Sequence, residues 1–239
     1  MILPEKDPIG RAITDLWEGK DVELIKVVSD VAEDETLDPH YFFRSFAEMP
    51  ELEQFALGKV RGRVLDVGAG AGCHVLELEK RGMDVLAIDI SIRSVEIMEK
   101  RGVRNPMVGD IFEVHEGAFD TILLLMNGVG IARTLDGLKQ LLLQCKKLLA
   151  PGGQVLLDSS DIIYLFEDEE GAVYYDLTAS KYYGEVTYQL FYNNIESDSF
   201  GWLYAGAEIL EAIAQSIGFG FELIKEGSHY DYLARLTFG

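Results

Sequence analysis

The stretch "VLDVGAGAGCHVLELEKRG", residues 64–82, decides the fold of this 239-residue chain. An apolar run ends at Val67, glycines follow in the pattern G-x-G-x-G, and an amphipathic segment then runs to Gly82. We interpret these parts as a buried strand, a glycine loop and a helix. Glycines allow a tight turn and a close approach of the backbone to a ligand, and a helix N-terminus attracts an anionic group. The stretch therefore predicts a ligand-binding loop.

Two acidic residues narrow the choice of ligand. The loop differs from the dinucleotide motif G-x-G-x-x-G because position 73 is Cys, and it lacks the lysine of a triphosphate-binding loop. Asp66 precedes the loop, where a carboxylate opposes a phosphate and favours an ammonium group. Asp89 ends the next predicted strand, where a carboxylate can accept hydrogen bonds from ribose hydroxyls. A ligand with a ribose, a carboxylate and an ammonium group fits these features.

The rest of the chain alternates apolar runs with amphipathic stretches, which predicts a doubly wound, mostly parallel α/β sheet. The predicted strands are 64–67, 84–90, 119–127 and 154–160, with a further short strand inside 105–114, and the predicted helices are 73–81, 91–102 and 138–153. We divide the chain into a helical cap or lid (1–58), a cofactor-binding half (59–161), an inserted antiparallel β segment (162–205), and a closing helix and β-hairpin (206–239). In the insert, "AVYYDLT", "EVTYQLFYN" and "SFGWLYA" are the predicted strands.

These motifs, in this order, resemble the class I S-adenosylmethionine-dependent methyltransferases. The likeness rests on "VLDVGAGAG" with Asp89 at the end of the next strand, on "VGDIFEV", "FDTILLLMN" and "LLAPGGQVLL", and on the closing hairpin. It covers roughly residues 59–161 and 206–239. The resemblance implies a Rossmann-like sheet of seven strands with an antiparallel last strand, S-adenosyl-L-methionine as cofactor, and methyl transfer as the reaction.

The resemblance also implies roles for individual residues around the cofactor. Gly68, Ala69, Gly70 and Gly72 line its methionine end, Asp66 favours its ammonium group, Asp89 binds the ribose, Ile90 packs on the adenine, Asp110 accepts from the adenine amino group, Ile111 donates its backbone amide, and Asn127 borders the sulfonium. Two of these assignments have plain alternatives: Asp110 as a turn residue and Ile90 as a core residue. Cys73 is better explained as a small residue filling a tight corner than as a reactive thiol.

The acceptor side is less defined by the sequence. The candidate catalytic residues are His40 and Tyr41, and the candidate substrate-binding residues are Arg44, Gly128, Asp158, Tyr164 and Trp202. We expect residues 38–57 to close over the cofactor as a lid, with Tyr41, Arg44 and Ser45 on one helix face. The tyrosine-rich segment 164–204 is the other candidate cover, although tyrosines also suit ordinary strands.

Composition limits the partners. The formal net charge of −20, from 21 Lys and Arg against 41 Asp and Glu, argues against nucleic acid. The two cysteines have no metal-ligand spacing, and no apolar run approaches the roughly 20 residues that span a bilayer. The opening "MILPEKDPIG" lacks the apolar core of a secretory signal. We therefore expect a cytoplasmic monomer or homodimer that binds no metal, membrane or nucleic acid.

The leading hypothesis is methyl transfer to a small-molecule acceptor by in-line displacement. An NAD-dependent oxidoreductase is the alternative enzyme, although the loop spacing and Asp66 argue against it. A protein that binds S-adenosylmethionine without catalysis is the other alternative, because its cofactor half would have the same sequence.

Overall fold

A computed structural model describes residues 1–115, 117–167 and 181–238. The strands are β1 Ile25–Ser29, β2 Glu35–Leu37, β3 Arg63–Val67, β4 Asp84–Asp89, β5 Pro106–Val108, β6 Phe119–Leu124, β7 Leu149–Ser160, β8 Glu185–Tyr192, β9 Ile195–Glu196, β10 Phe200–Leu203, β11 Gly220–Glu226 and β12 Asp231–Thr237. The α-helices are α1 Pro8–Trp17, α2 Glu51–Leu57, α3 Cys73–Lys80, α4 Ile92–Arg101, α5 Leu135–Leu148 and α6 Ala207–Ser216.

The main sheet has seven strands in the order β11-β12-β7-β6-β3-β4-β5. The pairs β3–β4, β3–β6, β4–β5 and β6–β7 are parallel, whereas β12 runs antiparallel to both β7 and β11. One apolar core joins the sheet to α5 and α6, and a second joins it to α2, α3 and α4. This arrangement confirms the predicted doubly wound, mostly parallel sheet with an antiparallel last strand.

The topology positions the candidate site. Because neighbouring parallel strands point the same way, the carboxyl ends of β3, β4, β5, β6 and β7 meet at one edge of the sheet. The glycine loop follows β3, Asp89 ends β4, and the turn containing Asn127 follows β6. Residues distant in sequence are therefore brought to one edge by the strand order.

A second, five-stranded sheet takes two of its strands, β1 and β2, from residues 1–58, for which the sequence predicts helices with breaks and no strand. It has the order β10-β8-β1-β2, with β9 paired to β8. β1 runs antiparallel to β8, with Val27 opposite Leu190. The N-terminal segment and the insert thus build one sheet, called the accessory sheet below. The predicted strand "AVYYDLT", residues 172–178, lies outside the described residues, and the division of the chain into domains stays a prediction.

Residues 38–57 do not form the continuous helical face that the spacing predicts. A short 3-10 turn covers Pro39–Phe43, a second covers Phe46–Glu48, and α2 begins only at Glu51. Arg44 between the turns has ψ 143°, which is extended backbone. The predicted sharing of one helix face by Tyr41, Arg44 and Ser45 is therefore wrong, because the helical spacing is interrupted at Arg44.

Candidate functional site

The glycine loop has a backbone that only glycine adopts easily. Gly68, Gly70 and Gly72 have φ values of 74°, 57° and 82°. A Cβ built on Gly72 would lie 3.1 Å from side-chain atoms of both Met98 and Val103, so this position is also tightly packed. Gly72 is the N-cap of α3, and the first amides of that helix therefore face the loop.

Asp89 is tied directly to this loop. Its carboxylate accepts hydrogen bonds from the backbone N–H of Gly70 and of Ser91, each at 2.8 Å. Burial raises the pKa of Asp89 to about 6, although those two amides partly offset the effect. The carboxylate thus holds the glycine loop against the end of β4, at the position expected for a ribose-binding group.

The predicted adenine residues lie beside Asp89. The N–H of Gly109 donates to the carbonyl of Asp89 at 2.9 Å, which brings the segment after β5 next to β4. Asp110 accepts from the N–H of Phe112 at 3.0 Å, so it does form a turn, whereas Ile111 is buried. Ile90 is 38% exposed, so it is not a core residue and remains available to a ligand.

Asp66 lies beneath the loop. It is only 2% exposed, and its Oδ2 has no hydrogen-bond partner among the described residues. Burial raises the pKa of this carboxyl. A hydrogen-bond acceptor that is buried without a partner costs free energy, and a ligand that brings a hydrogen-bond donor recovers this cost. The site therefore fits a ligand that brings an ammonium group to the loop.

The turn after β6 is strained. Met126 and Asn127 have φ values of 66° and 53°, which is unusual for residues other than glycine. The N–H of Gly128 donates to Asp158 at 3.1 Å, and the Ser160 hydroxyl donates to the Asn127 side chain at 3.0 Å. The end of β7 thus fixes the Asn127 turn, and strained backbone of this kind is concentrated at functional sites.

A cavity of about 220 Å³ opens from this turn. Asn127 and Ser160 line it from the side of the main sheet. Tyr188, in β8, and Tyr204, directly after β10, line it from the side of the accessory sheet. Tyr164, a predicted substrate residue, also lines it. We call this space the acceptor cavity. It lies between the two sheets and shares Asn127 with the predicted cofactor site.

Trp202 has a packing role in the structure. A Cβ built on Gly130 would lie 1.9 Å from its ring, so the indole lies against the backbone that follows Asn127. Trp202 is therefore in contact with the segment behind the turn, and Gly130 must be glycine for the ring to fit.

The sequence predicts that Tyr41 and Arg44 face the cofactor pocket from a lid, which stays a prediction, and in the structure both side chains contact Glu53. The Arg44 guanidinium pairs with Glu53, and His74 Nε2 lies 2.6 Å from the same carboxylate. The side chains are 4%, 4% and 7% exposed in the order Arg44, Glu53, His74. Arg44 also lies 4.0 Å over the Tyr41 ring and donates to the Tyr41 carbonyl. These buried residues join the segment 38–57 to the first turn of α3.

Glu53 was not predicted as a site residue. Burial opposes its ionisation, but the hydrogen bonds and charges of His74 and Arg44 outweigh burial and lower the pKa of Glu53. Burial and the charge of Glu53 raise the pKa of Tyr41 to about 12. His40, in contrast, is 66% exposed and faces Asp38 at 2.7 Å.

Cys73 fits the packing interpretation. It is buried, and burial raises the pKa of its thiol to about 11, so the reactive thiolate is suppressed. Within the described ranges, no three His, Cys, Asp or Glu side chains are grouped so that they could hold a metal. No helix in the part of the chain that the structure describes is long and apolar enough to cross a bilayer.

Comparison with known proteins adds evidence on the family to which the chain belongs. A family model described as a methyltransferase domain matches residues 65–157. A solved S-adenosylmethionine-dependent methyltransferase from Bacteroides fragilis, in complex with S-adenosyl-L-homocysteine, is 44% identical to this chain. That match covers 100% of this chain and 98% of the other, with a TM-score of 0.93.

Curated relatives match shorter segments. The magnesium-protoporphyrin O-methyltransferase of Rhodobacter capsulatus is 38% identical over 69 residues, which is 26% of this chain and 31% of that protein. The cypemycin N-terminal methyltransferase of a Streptomyces species is 29% identical over 102 residues, 41% of this chain and 42% of that protein. This chain thus spans less than half the length of either curated relative.

S-Adenosyl-L-homocysteine is what remains of S-adenosylmethionine after methyl transfer, so the full-length match supports S-adenosylmethionine as the cofactor rather than NAD. The sheet order, the glycine loop and the full-length likeness agree. The chain belongs to the class I S-adenosylmethionine-dependent methyltransferases.

Proposed function

We propose that this protein transfers the methyl group of S-adenosylmethionine to a small-molecule acceptor by direct in-line displacement. The observation that carries the proposal is the Asn127 turn, which borders the predicted cofactor site on one side and the acceptor cavity on the other. A methyl group held at this turn would face the cavity.

The proposed cofactor contacts follow the edge of the sheet. Gly68, Ala69, Gly70 and Gly72 hold the methionine end, Asp66 accepts from the ammonium group, Asp89 accepts from the ribose hydroxyls, and Ile90, Asp110 and Ile111 surround the adenine. When bound, the cofactor supplies a methyl group activated by its positively charged sulfur. The buried, unpaired Oδ2 of Asp66 is the strongest support for this orientation.

The chain's own contribution to transfer is positioning and exclusion of water. In-line displacement needs an acceptor atom close to the methyl group and aligned with the breaking bond. Residues of the accessory sheet line the acceptor cavity together with Asn127 and Ser160 from the main sheet, and so provide one of its walls. No covalent bond to a side chain is required for such a displacement, so the residues around the cavity need only bind and orient.

The size and charge of the site favour a small molecule. A cavity of about 220 Å³ is smaller than a typical pocket for a drug-sized ligand. The net charge of −20 disfavours a phosphate backbone. The curated relatives carry names of an O-methyltransferase and of an N-terminal methyltransferase, so family membership does not define the acceptor atom.

The roles suggested for His40 and Tyr41 as catalytic residues stay predictions. The geometry favours neither, since His40 faces Asp38 at the surface and the Tyr41 hydroxyl faces Glu53 at 3.4 Å. Turnover by a His40→Ala variant tests the first role, and an unchanged rate would remove His40 from the mechanism.

Calorimetry with S-adenosylmethionine tests the cofactor site. Asp89→Ala should weaken binding by about 2–3 kcal/mol, the range for a charge-assisted hydrogen bond lost to a ligand. Asp84→Ala is the matched control, because Asp84 begins the same strand and is exposed at its opposite end. Equal affinities for the two folded variants would refute the assignment of Asp89. Binding of NADH in place of S-adenosylmethionine by the unsubstituted protein would refute the proposed function.

Acceptor-dependent formation of S-adenosyl-L-homocysteine tests catalysis. Formation with a small-molecule acceptor supports an enzyme. Tight cofactor binding without turnover of any acceptor in a broad screen would favour a non-catalytic binding protein.

A further inference from the structure

We propose that the acceptor is a small amine, bound in the acceptor cavity against Glu35 and a ring of tyrosines. This inference rests on the proposed function and names its substrate class.

The ionisable side chains around the cavity are acidic or weakly basic. Glu33 and Glu35 line it, and so does His229, but no Lys or Arg is among its described lining residues. The two nearby lysines are already paired, Lys26 with Asp34 at 2.7 Å and Lys181 with Asp30 at 3.0 Å. An acceptor carrying a carboxylate or phosphate would therefore meet negative charge without a compensating cation.

Glu35 lines the same cavity as Tyr164, Tyr188 and Tyr204. Burial raises the pKa of the hydroxyls of Tyr164, Tyr188 and Tyr204, and the negative charge of Glu35 raises each of them further. The carboxylate forms no ion pair with any residue in the described ranges. It begins β2, where Glu35 is opposite Val27, and Val27 also lines the cavity. Glu35 is an exposed residue without an ion pair in those ranges, so its carboxylate is accessible to a cation that enters the cavity.

The tyrosines add a surface suited to a cation. The hydroxyls of Tyr188 and Tyr204 lie 3.0 Å apart, so one donates to the other, and Tyr164 stacks on Tyr230 with ring centroids 5.2 Å apart. Aromatic faces attract ammonium groups, most strongly where water is excluded. Aromatic rings held next to a carboxylate attract a positively charged amine in addition to the attraction of the carboxylate itself.

The charge balance of the reaction fits this arrangement. The amine first loses its ammonium proton to water, because a protonated nitrogen has no lone pair with which to attack. The nitrogen lone pair then forms the new N–C bond while the S–C bond breaks and leaves its electron pair on sulfur. Positive charge thus moves from sulfur to nitrogen, toward Glu35 and the tyrosines. Groups placed where charge develops lower the barrier.

The test is a panel of matched compounds in which each small amine is paired with its alcohol and its carboxylic acid. Methyl transfer is followed as formation of S-adenosyl-L-homocysteine, and binding of each compound to the protein loaded with that product is followed by calorimetry. We expect the amines to bind and to be methylated, and we expect the matched alcohols and carboxylic acids neither to bind nor to be methylated. The variant Glu35→Gln should lower kcat/KM for amines at least tenfold and leave the affinity for S-adenosylmethionine unchanged.

The matched control is Asp34→Asn. Asp34 is the neighbouring residue, carries the same charge and pairs with Lys26, but it does not line the cavity. This variant should keep the activity on amines. Equal loss in both variants, transfer to the alcohols or acids instead of the amines, or failure of every amine to bind would overturn the amine assignment. Failure of the unsubstituted protein to bind S-adenosylmethionine would instead refute the proposed function.

Discussion

Glu53→Ala is the substitution whose effect the structure defines most directly. Its carboxylate is the shared partner of Arg44 and His74, and all three side chains are buried. Removing it leaves the Arg44 guanidinium with neither a counter-charge nor water. Breaking a buried ion pair from one side costs about 3–5 kcal/mol, because the remaining charge stays desolvated. We therefore expect the free energy of unfolding to fall by about that amount.

Urea denaturation followed by circular dichroism measures the loss. Glu51→Ala is the control, since Glu51 lies in the same helix, is 84% exposed and pairs with Lys225 at the surface. An exposed pair of this kind contributes below about 1 kcal/mol. If Glu53→Ala is no less stable than Glu51→Ala, the buried cluster does not hold the segment 38–57 in place, and the reasoning from burial is wrong.

The loss of stability in Glu53→Ala should depend on pH. Because folding lowers the pKa of Glu53, its contribution is fully present above the unfolded-state pKa of about 4.3 and disappears as the pH falls through the lower folded-state pKa. The difference in stability between the unsubstituted protein and Glu53→Ala should be constant near neutral pH and shrink below about pH 4. A difference that instead grows on acidification would contradict this sign.

Three further outcomes follow from the site. Burial raises the pKa of Asp89 to about 6, and we propose that its ionised form accepts from the ribose. The dissociation constant for S-adenosylmethionine should therefore rise about tenfold from pH 7 to pH 5 by calorimetry, and a flat profile would argue against ribose binding. Gly130→Ala places a methyl group against the Trp202 ring and should lower the free energy of unfolding by about 1–3 kcal/mol in urea denaturation. Gly220→Ala is the control, because the nearest atom to its added methyl group lies at 3.6 Å. Equal stability of the two variants would show that the indole moves freely. Cys73 should resist iodoacetamide at pH 8 in the folded protein, as measured by mass spectrometry, because its pKa is about 11; rapid alkylation would mean that the loop opens.

The sequence predicted the parts of the fold that depend on local pattern. The strand, glycine loop and helix of residues 64–82 are formed by neighbours in the chain, so their spacing is sufficient evidence. The predicted helix 91–102 likewise depends on neighbours, since the side chain of Ser91 caps α4 by accepting a hydrogen bond from the backbone N–H of Ser94. Glycine positions with positive φ could likewise be inferred from the need for a turn.

Features that depend on distant partners were not predictable. Ile25–Ser29 forms a strand because β8 lies beside it, and nothing within the segment itself indicates that pairing. Glu53 has the residue type of an ordinary helix surface, and its burial is decided by Arg44 and by His74, 21 positions away. The acceptor cavity was not predictable for the same reason, because its walls come from two sheets whose strands are distant in the sequence.

The accessory sheet also has a consequence for biosynthesis. A ribosome releases β1 and β2 long before β8, so β1 emerges without one of the two strands that flank it in the finished protein. The parallel strands β3 to β7 are complete by Ser160, and they contain the glycine loop and Asp89. A nascent chain therefore contains these five strands before β8 has been translated. Pairing across such a separation is slow, and until β8 arrives one edge of β1 stays exposed to other chains.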